Sequence, residues 1–348
     1  MSSIKLLSFP FLVFSKIVCS MEIMDVFELS QVSRRILNCL SLARIPVQPI
    51  TVANGIANQI FFYDDDSRTE KVFLIHFLEK PQSIIGQMKV NNVCIDVWSV
   101  LRSNSDFEKD PEGRVIDCNS NQFGYGLLHL LTHFDRIFHR MEIALGIELG
   151  TLSTMRGILC YPIFRKCYYM QIRGEKEVLS NEDCDFLLEK IRPRRGITIF
   201  NKLSSDFDYK KIIHFSRLRV PNLGKMPLED LKALDSVVAN LGNHQFTESD
   251  INEFLHHWIE GNNKKLRRLK LDGFNEAPDW DILLKDIVHT EWNPKERGRY
   301  YKSKYTHEVE TIDCEDGKDF RNKDGQLATV VFNSEFLDFL VWNDRFPE

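Results

Sequence analysis

The chain has 348 residues, 43% hydrophobic and 27% charged, and its 45 basic against 50 acidic side chains leave a formal charge of −5. This composition belongs to a folded protein with a substantial core and excludes disordered, collagen-like and coiled-coil chains. The length predicts two domains, and the acidic balance excludes a global electrostatic grip on nucleic acid, leaving only a local basic patch to be considered.

The predicted elements begin at Pro10, which suits the first turn of a helix. Phe11, Leu12, Val13, Phe14, Ile17 and Val18 follow and cover most of that helix's surface, so one side should meet an internal core and another a partner. The stretch before Ser20 looks like a short leader, yet Lys16 interrupts it and no small-x-small cleavage pattern follows. It is also shorter than the ~20 residues that span a bilayer. It therefore reads as a helix with no membrane role, and a secreted form starting after Ser20 is the outlying alternative. Asp25 is expected to cap a second helix with an apolar stripe of Val26, Leu29, Val32 and Ile36. A third piece runs past Ser33, Arg34 and Arg35 to Leu40. Helices this short cannot bury enough surface to be stable alone.

Phe9, Pro10, Ile17, Asp25, Val26, Phe27, Leu29 and the run Val32, Ser33, Arg34, Arg35 resemble an F-box, over roughly residues 8–42. Phe9 stands where the family has Leu and Ile36 where many members have Trp; both positions stay apolar. The Phe-Pro-Phe-Leu-Val-Phe run and the absent Trp look most like the nematode class. The resemblance implies docking to the Skp-family linker of a cullin–RING ubiquitin ligase, with Phe9, Pro10, Leu12, Val13, Ile17 and Val18 as the linker-binding set. The F-box is expected over residues 5–45 and a substrate-recognition body over 46–348.

Beyond the helix-breaking Pro46 and Pro49, strands are expected at residues 58–63, 71–75 and 90–100, with a turn at Asp64, Asp65, Asp66 and Ser67. An amphipathic helix is expected over 126–140. His129 and His133 lie one turn apart on it, a spacing that can hold zinc. No Glu follows His129 and no Cys pair is near, so both read as surface or packing side chains.

In the second half, short apolar strands centre near residues 199, 220, 239 and 271, with helices between them at 182–190, 207–214, 227–234 and 248–260. Thr247 to Asp250 has the form of a capping box with Asp in place of Glu, and Gly261 stops that helix. The strand spacings of about 20–30 residues and the Leu266, Leu269, Leu271 pattern predict an α/β fold with an irregular, leucine-rich-repeat-like body. The run Phe254, Leu255, Trp258, Ile259, Gly261 before that strand is similar to the F-box-associated domain that accompanies nematode F-boxes, at about 193–274. Charged residues 293–304 read as an exposed loop. Strands at 308–312 and 327–332 flank turns at Gly317 and Gly325, and residues 336–342 close the chain as helix or strand.

No reacting constellation stands out. There is no Gly-rich phosphate loop, no nucleophile elbow and no His-Glu-x-x-His. The eight cysteines show no Cys-x-x-Cys pair, which argues for reduced thiols in a cytoplasmic or nuclear protein without a metal or other cofactor. The expected role is non-catalytic: capture of a protein substrate, with no nucleic-acid partner. The alternative is a repeat-faced scaffold acting without a ligase. If the middle residue of each strand faces the open side of a curved sheet, Thr198, Arg219, Val238 and Lys270, with Arg217 and Arg268 beside them, are the substrate-binding candidates. Their bland reading is a set of solubilising charges.

Overall fold

A computed structural model describes residues 6–55, 58–63, 71–78, 83–90, 93–102, 114–174, 177–274, 276–303, 310–344 and 346. It folds as two compact units, the first Met1–Tyr168 with Lys190–Arg192, the second Tyr169–Glu189 with Pro193–Glu348. The fold is mixed α/β. The acidic turn expected at residues 64–67 lies outside the described residues.

The first unit opens with three helices, α1 (Phe11–Cys19), α2 (Ile23–Val32) and α3 (Arg34–Leu42). Asp25 does not cap α2. The helix starts two residues earlier, and Asp25 lies in its first turn, where a carboxylate still favours the positive end of the helix dipole. Ser33 caps α3 by accepting from the Ile36 N–H at 3.2 Å. Strands β1 (Ile50–Ala53), β2 (Asn58–Tyr63), β3 (Lys71–Leu78), β4 (Gly86–Val90), β5 (Val93–Arg102) and β6 (Arg114–Asn119) follow, then α4 (Phe123–Ile137), β7 (Ile143–Glu148) and α5 (Leu152–Leu159). The single strand expected at 90–100 is instead β4 and β5, paired antiparallel. The mixed sheet runs β7-β1-β2-β3-β6-β5-β4.

The core of this unit explains much of the phenylalanine. Phe27 of α2 meets Phe73 of β3 at 5.7 Å and Phe134 of α4 at 5.3 Å between ring centres. Phe62 stacks on Phe73 at 5.3 Å and meets Phe134 edge-on at 5.0 Å. Four rings with no polar tip thus join the N-terminal helices to the sheet. His133 sits in this core, 2% exposed, with Nε2 2.7 Å from Ser30 Oγ. The Ser30 hydroxyl donates to the Phe27 carbonyl at 2.5 Å, so the imidazole donates to Ser30 from Nε2. Burial, with the Arg136 charge, pulls the His133 pKa down to about 4. It is a packing histidine.

The second unit is built on β8 (Cys167–Arg173), β9 (Val178–Leu179), α6 (Asn181–Lys190), β10 (Gly196–Ile199), β11 (Lys202–Leu203), β12 (Arg217–Val220), α7 (Leu228–Lys232), β13 (Val238–Gly242), α8 (Glu248–Ile259) and β14 (Arg268–Asp272). Strands β8, β10, β12, β13 and β14 pair in parallel and in chain order. Their Ile197, Leu218, Ala239, Leu241, Leu269 and Leu271 are buried. Leu187, Leu231, Phe254, Leu255 and Trp258 of the helices are buried as well, so one face of the sheet carries the core. The Asp variant of the capping box is present: Thr247 and Asp250 each accept the other's backbone N–H.

After α9 (Trp280–Leu283) come β15 (Thr290–Glu291), β16 (Tyr300–Ser303), β17 (Glu310–Asp313), β18 (Lys318–Arg321), β19 (Leu327–Asn333) and β20 (Phe336–Val341). The chain's last segment is thus a strand, and β20 joins β14 antiparallel, extending the sheet through β19, β18 and β15. Residues 293–304 are not an exposed loop throughout, because Arg297 is fully buried and Tyr300–Ser303 is a strand. Arg297 Nε donates to both Asp319 oxygens at 2.8 and 3.0 Å, and its Nη2 donates to the Cys314 carbonyl at 2.8 Å. Asp319 also accepts from Thr329, which accepts from Trp342. Every polar group here has a partner, which a buried charge requires.

Candidate protein-binding surfaces

Two surfaces stand out, one apolar and one basic. Helix α1 follows Pro10, whose ring presets the entry. Phe14 and Val18 point inward and are buried, while Ser15 Oγ donates to the Ala43 carbonyl at 3.1 Å and pins the helix to the end of α3. Phe9, Leu12 and Val13 stay outside, exposed by 41, 70 and 41%, and Phe11, 49% exposed, stacks on Phe14 with ring centres 6.2 Å apart. Pro10 is exposed beside them and Ile17 is half-buried. Val18, expected in the docking set, has no exposed surface and serves the core instead. Phe11 was missed, although it belongs to the same apolar run. Large apolar side chains left clustered at the exposed start of a helix are costly in water and suit an interface.

The basic surface lies on the sheet of the second unit, on the side away from its helices. Register sets its rows. Gln171, Thr198, Arg219, Asn240, Lys270 and Asp338 are neighbours across six strands. Two residues earlier, Tyr169, Gly196, Arg217, Val238 and Arg268 form a parallel row on the same face. Arg219 is exposed, and Arg217 and Lys270 are half-buried.

Three of the expected substrate-binding residues are not available there. Thr198 is 1% exposed and bonds to the Tyr169 hydroxyl at 2.5 Å. Val238 is buried in the earlier row, and Asn240 stands beside Arg219. Arg268 is buried in a two-pronged pair with Asp338, at 2.7 and 3.2 Å, and also binds Glu310. Its charge is spent internally. Burial pushes the Asp338 carboxyl up, against the pull of Arg268.

The remaining cations rest on aromatic rings. Arg217 lies 5.3 Å from the centre of Tyr169, Arg219 lies 5.5 Å from Phe200, and Lys270 lies 3.8 Å from Phe336. Gly196 makes the first pair possible. A Cβ there would come within 2.8 Å of the Arg217 side chain and 2.9 Å of the Tyr169 ring. These rings were missed, because nothing local in the sequence says that positions 48, 19 and 66 residues apart will meet.

Among the described residues no group of three His, Cys, Asp or Glu side chains could hold a metal ion. The eight cysteines are free, and burial pushes the thiols of Cys118, Cys184 and Cys314 up to about 12, where they are not nucleophiles. No helix among the described residues is long and apolar enough to cross a membrane.

Part of this basic sheet has a family match. Residues 206–271 match the F-box associated family. The match spans β12, α7, β13, α8 and β14, which hold Arg217, Arg219 and Lys270. The chain is also similar to uncharacterized proteins of Caenorhabditis elegans. F59B2.9 is 23% identical over 99% of this chain and 80% of its own length. F59B2.8 is 21% identical over 60% of this chain and 48% of its own. F54H12.5 is 22% identical over 98% of this chain and 94% of its own. No solved structure matches the chain.

Proposed function

We propose that this protein is a substrate-recognition adapter of a cullin–RING ubiquitin ligase. In this reading α1 docks the Skp-family linker, and through it a cullin, while the second unit holds a protein target. The observation that carries it is the exposed face of Phe9, Phe11, Leu12 and Val13 in the same chain as an F-box-associated sheet. The chain contributes no bond-making step. It raises the effective concentration of a target near the ubiquitin carrier, which accelerates transfer by proximity. The in-order parallel pairing of β8, β10, β12, β13 and β14 supports a repeat-like body, and the exposed Arg219 marks the part of the sheet left for the target. A soluble cytoplasmic or nuclear setting belongs to the same proposal.

Affinity purification of the full chain from cells, followed by mass spectrometry, tests this directly. Recovery of a Skp-family linker and a cullin with the bait is expected. Protein partners recovered without either subunit would sink the ligase role and favour a scaffold.

A further inference from the structure

Many cations of the second unit are neutralised from within. Arg268 has Asp338 and Glu310, Arg297 has Asp319, Arg299 has Asp313 and Glu315, and Arg321 has Glu296. Lys211, Lys232, Lys265 and Lys318 each hold a carboxylate too. Arg217 and Arg219 differ. Among the described residues neither makes an ion pair, and their guanidiniums lie over the Tyr169 and Phe200 rings. An aromatic face holds the plane of a guanidinium but leaves its N–H edge free to donate. Holding the side chains in place also lowers the entropy lost when a ligand binds.

The geometry points to an acidic peptide segment as the ligand of this face, with carboxylates at alternate positions engaging Arg217 and Arg219. This rests on the substrate-receptor reading and names its substrate class. The two arginines are two residues apart on β12, about 6.6 Å along a strand, which is also the spacing of alternate side chains in an extended peptide. Their rings are separate supports, so the guanidiniums do not converge on one point, and two single charges match them better than one phosphate. Each guanidinium takes a carboxylate through a forked pair of N–H donors. Lys270 lies two strands from Arg219 in the same row, roughly 9.6 Å away at the usual strand spacing. Its ammonium is shared with Asp272 at 3.3 Å, so it is a weaker, flanking attraction. Asn240 stands between them in the row and adds no charge of its own.

Binding of the full chain to immobilised degenerate peptides tests this. The probes are Xaa-Glu-Xaa-Glu-Xaa, its Ser-for-Glu counterpart, a single-phosphoserine version, and an eight-nucleotide oligouridylate. The expected result is retention on the Glu-x-Glu peptides at least tenfold above the Ser peptides, falling as salt is raised. Arg217→Gln with Arg219→Gln should abolish that preference, while Lys210→Gln with Lys264→Gln, the same charge change elsewhere, should keep it. Equal retention of Ser peptides, stronger retention of phosphoserine peptide or oligouridylate, or an unaffected Arg217→Gln, Arg219→Gln variant would each overturn the proposal. The readout does not involve the linker, so this idea and the ligase reading fail separately.

Discussion

Arg297 and His133 are buried for opposite reasons, and their consequences can be measured apart. Asp319, Cys314 and Gly298 take the donors of Arg297. Removing one member leaves the other charged and unpaired in the core. Asp319→Ala should therefore destabilise the fold by about 3–5 kcal/mol, whereas an exposed pair such as Lys265 with Asp235 should contribute under ~1 kcal/mol. Urea titration of both alanine variants makes the comparison. His133 stays neutral instead. Its folded pKa of about 4 lies below the ordinary 6.5, so between those values the unfolded chain binds more protons than the folded one. The stability it contributes is whole above pH 6.5 and is lost as pH falls towards 4, on the order of 3 kcal/mol in total. His133→Gln, which keeps a donor for Ser30, should flatten that part of the stability–pH curve; an unchanged slope would refute the assignment. Nothing in the sequence marked Arg297 as buried, because its partners sit 17 and 22 residues away and the surrounding run is charged. The sequence left His133 as either a surface or a packing side chain, because the Ser30 hydroxyl that holds it in the core lies 103 residues away.

Among the elements, those with a strong local signature were the ones read correctly. Thr247 and Asp250 announce α8, and Thr247→Ala should cost about 1 kcal/mol by removing the reciprocal cap, measurable as a lower urea midpoint. The apolar triplets around 198, 219 and 270 announced β10, β12 and β14. Register was less legible. Val238, the middle residue of its apolar triplet, lies on the expected face but two residues from the row of Arg219, where Asn240 stands. Periodicity gives the facing side of a strand, while the row depends on how far each helix carries the chain before the next strand begins. Gly196→Ala tests the rows as drawn. A Cβ there crowds the Tyr169 ring and the Arg217 backbone carbonyl at 2.5 Å, so it should lower stability and weaken acidic-peptide binding together.

On the scale of the molecule, the N-terminal helices are not a free hook. Phe27 and Ser30 of α2 pack against Phe73, His133 and Phe134, so the segment resembling an F-box completes the core of the first unit while its α1 face stays outside. Deleting residues 1–45 should therefore expose that aromatic cluster and cause aggregation rather than release a stable body. A soluble, cooperatively melting 46–348 fragment would contradict this. Point substitutions on the outer face are the cleaner probe. Leu12 is the most exposed of these side chains and Val13 is exposed beside it, so Leu12→Asp with Val13→Asp alters the surface and leaves the buried Phe14, Val18 and Phe27 in place. The decisive measurement is titration calorimetry of the full chain with a purified Skp-family linker. Wild-type protein should bind one linker, and the Leu12→Asp, Val13→Asp variant should bind at least tenfold more weakly with an unchanged melting transition. No binding by the wild type, or equal binding by both, would contradict the docking role of α1.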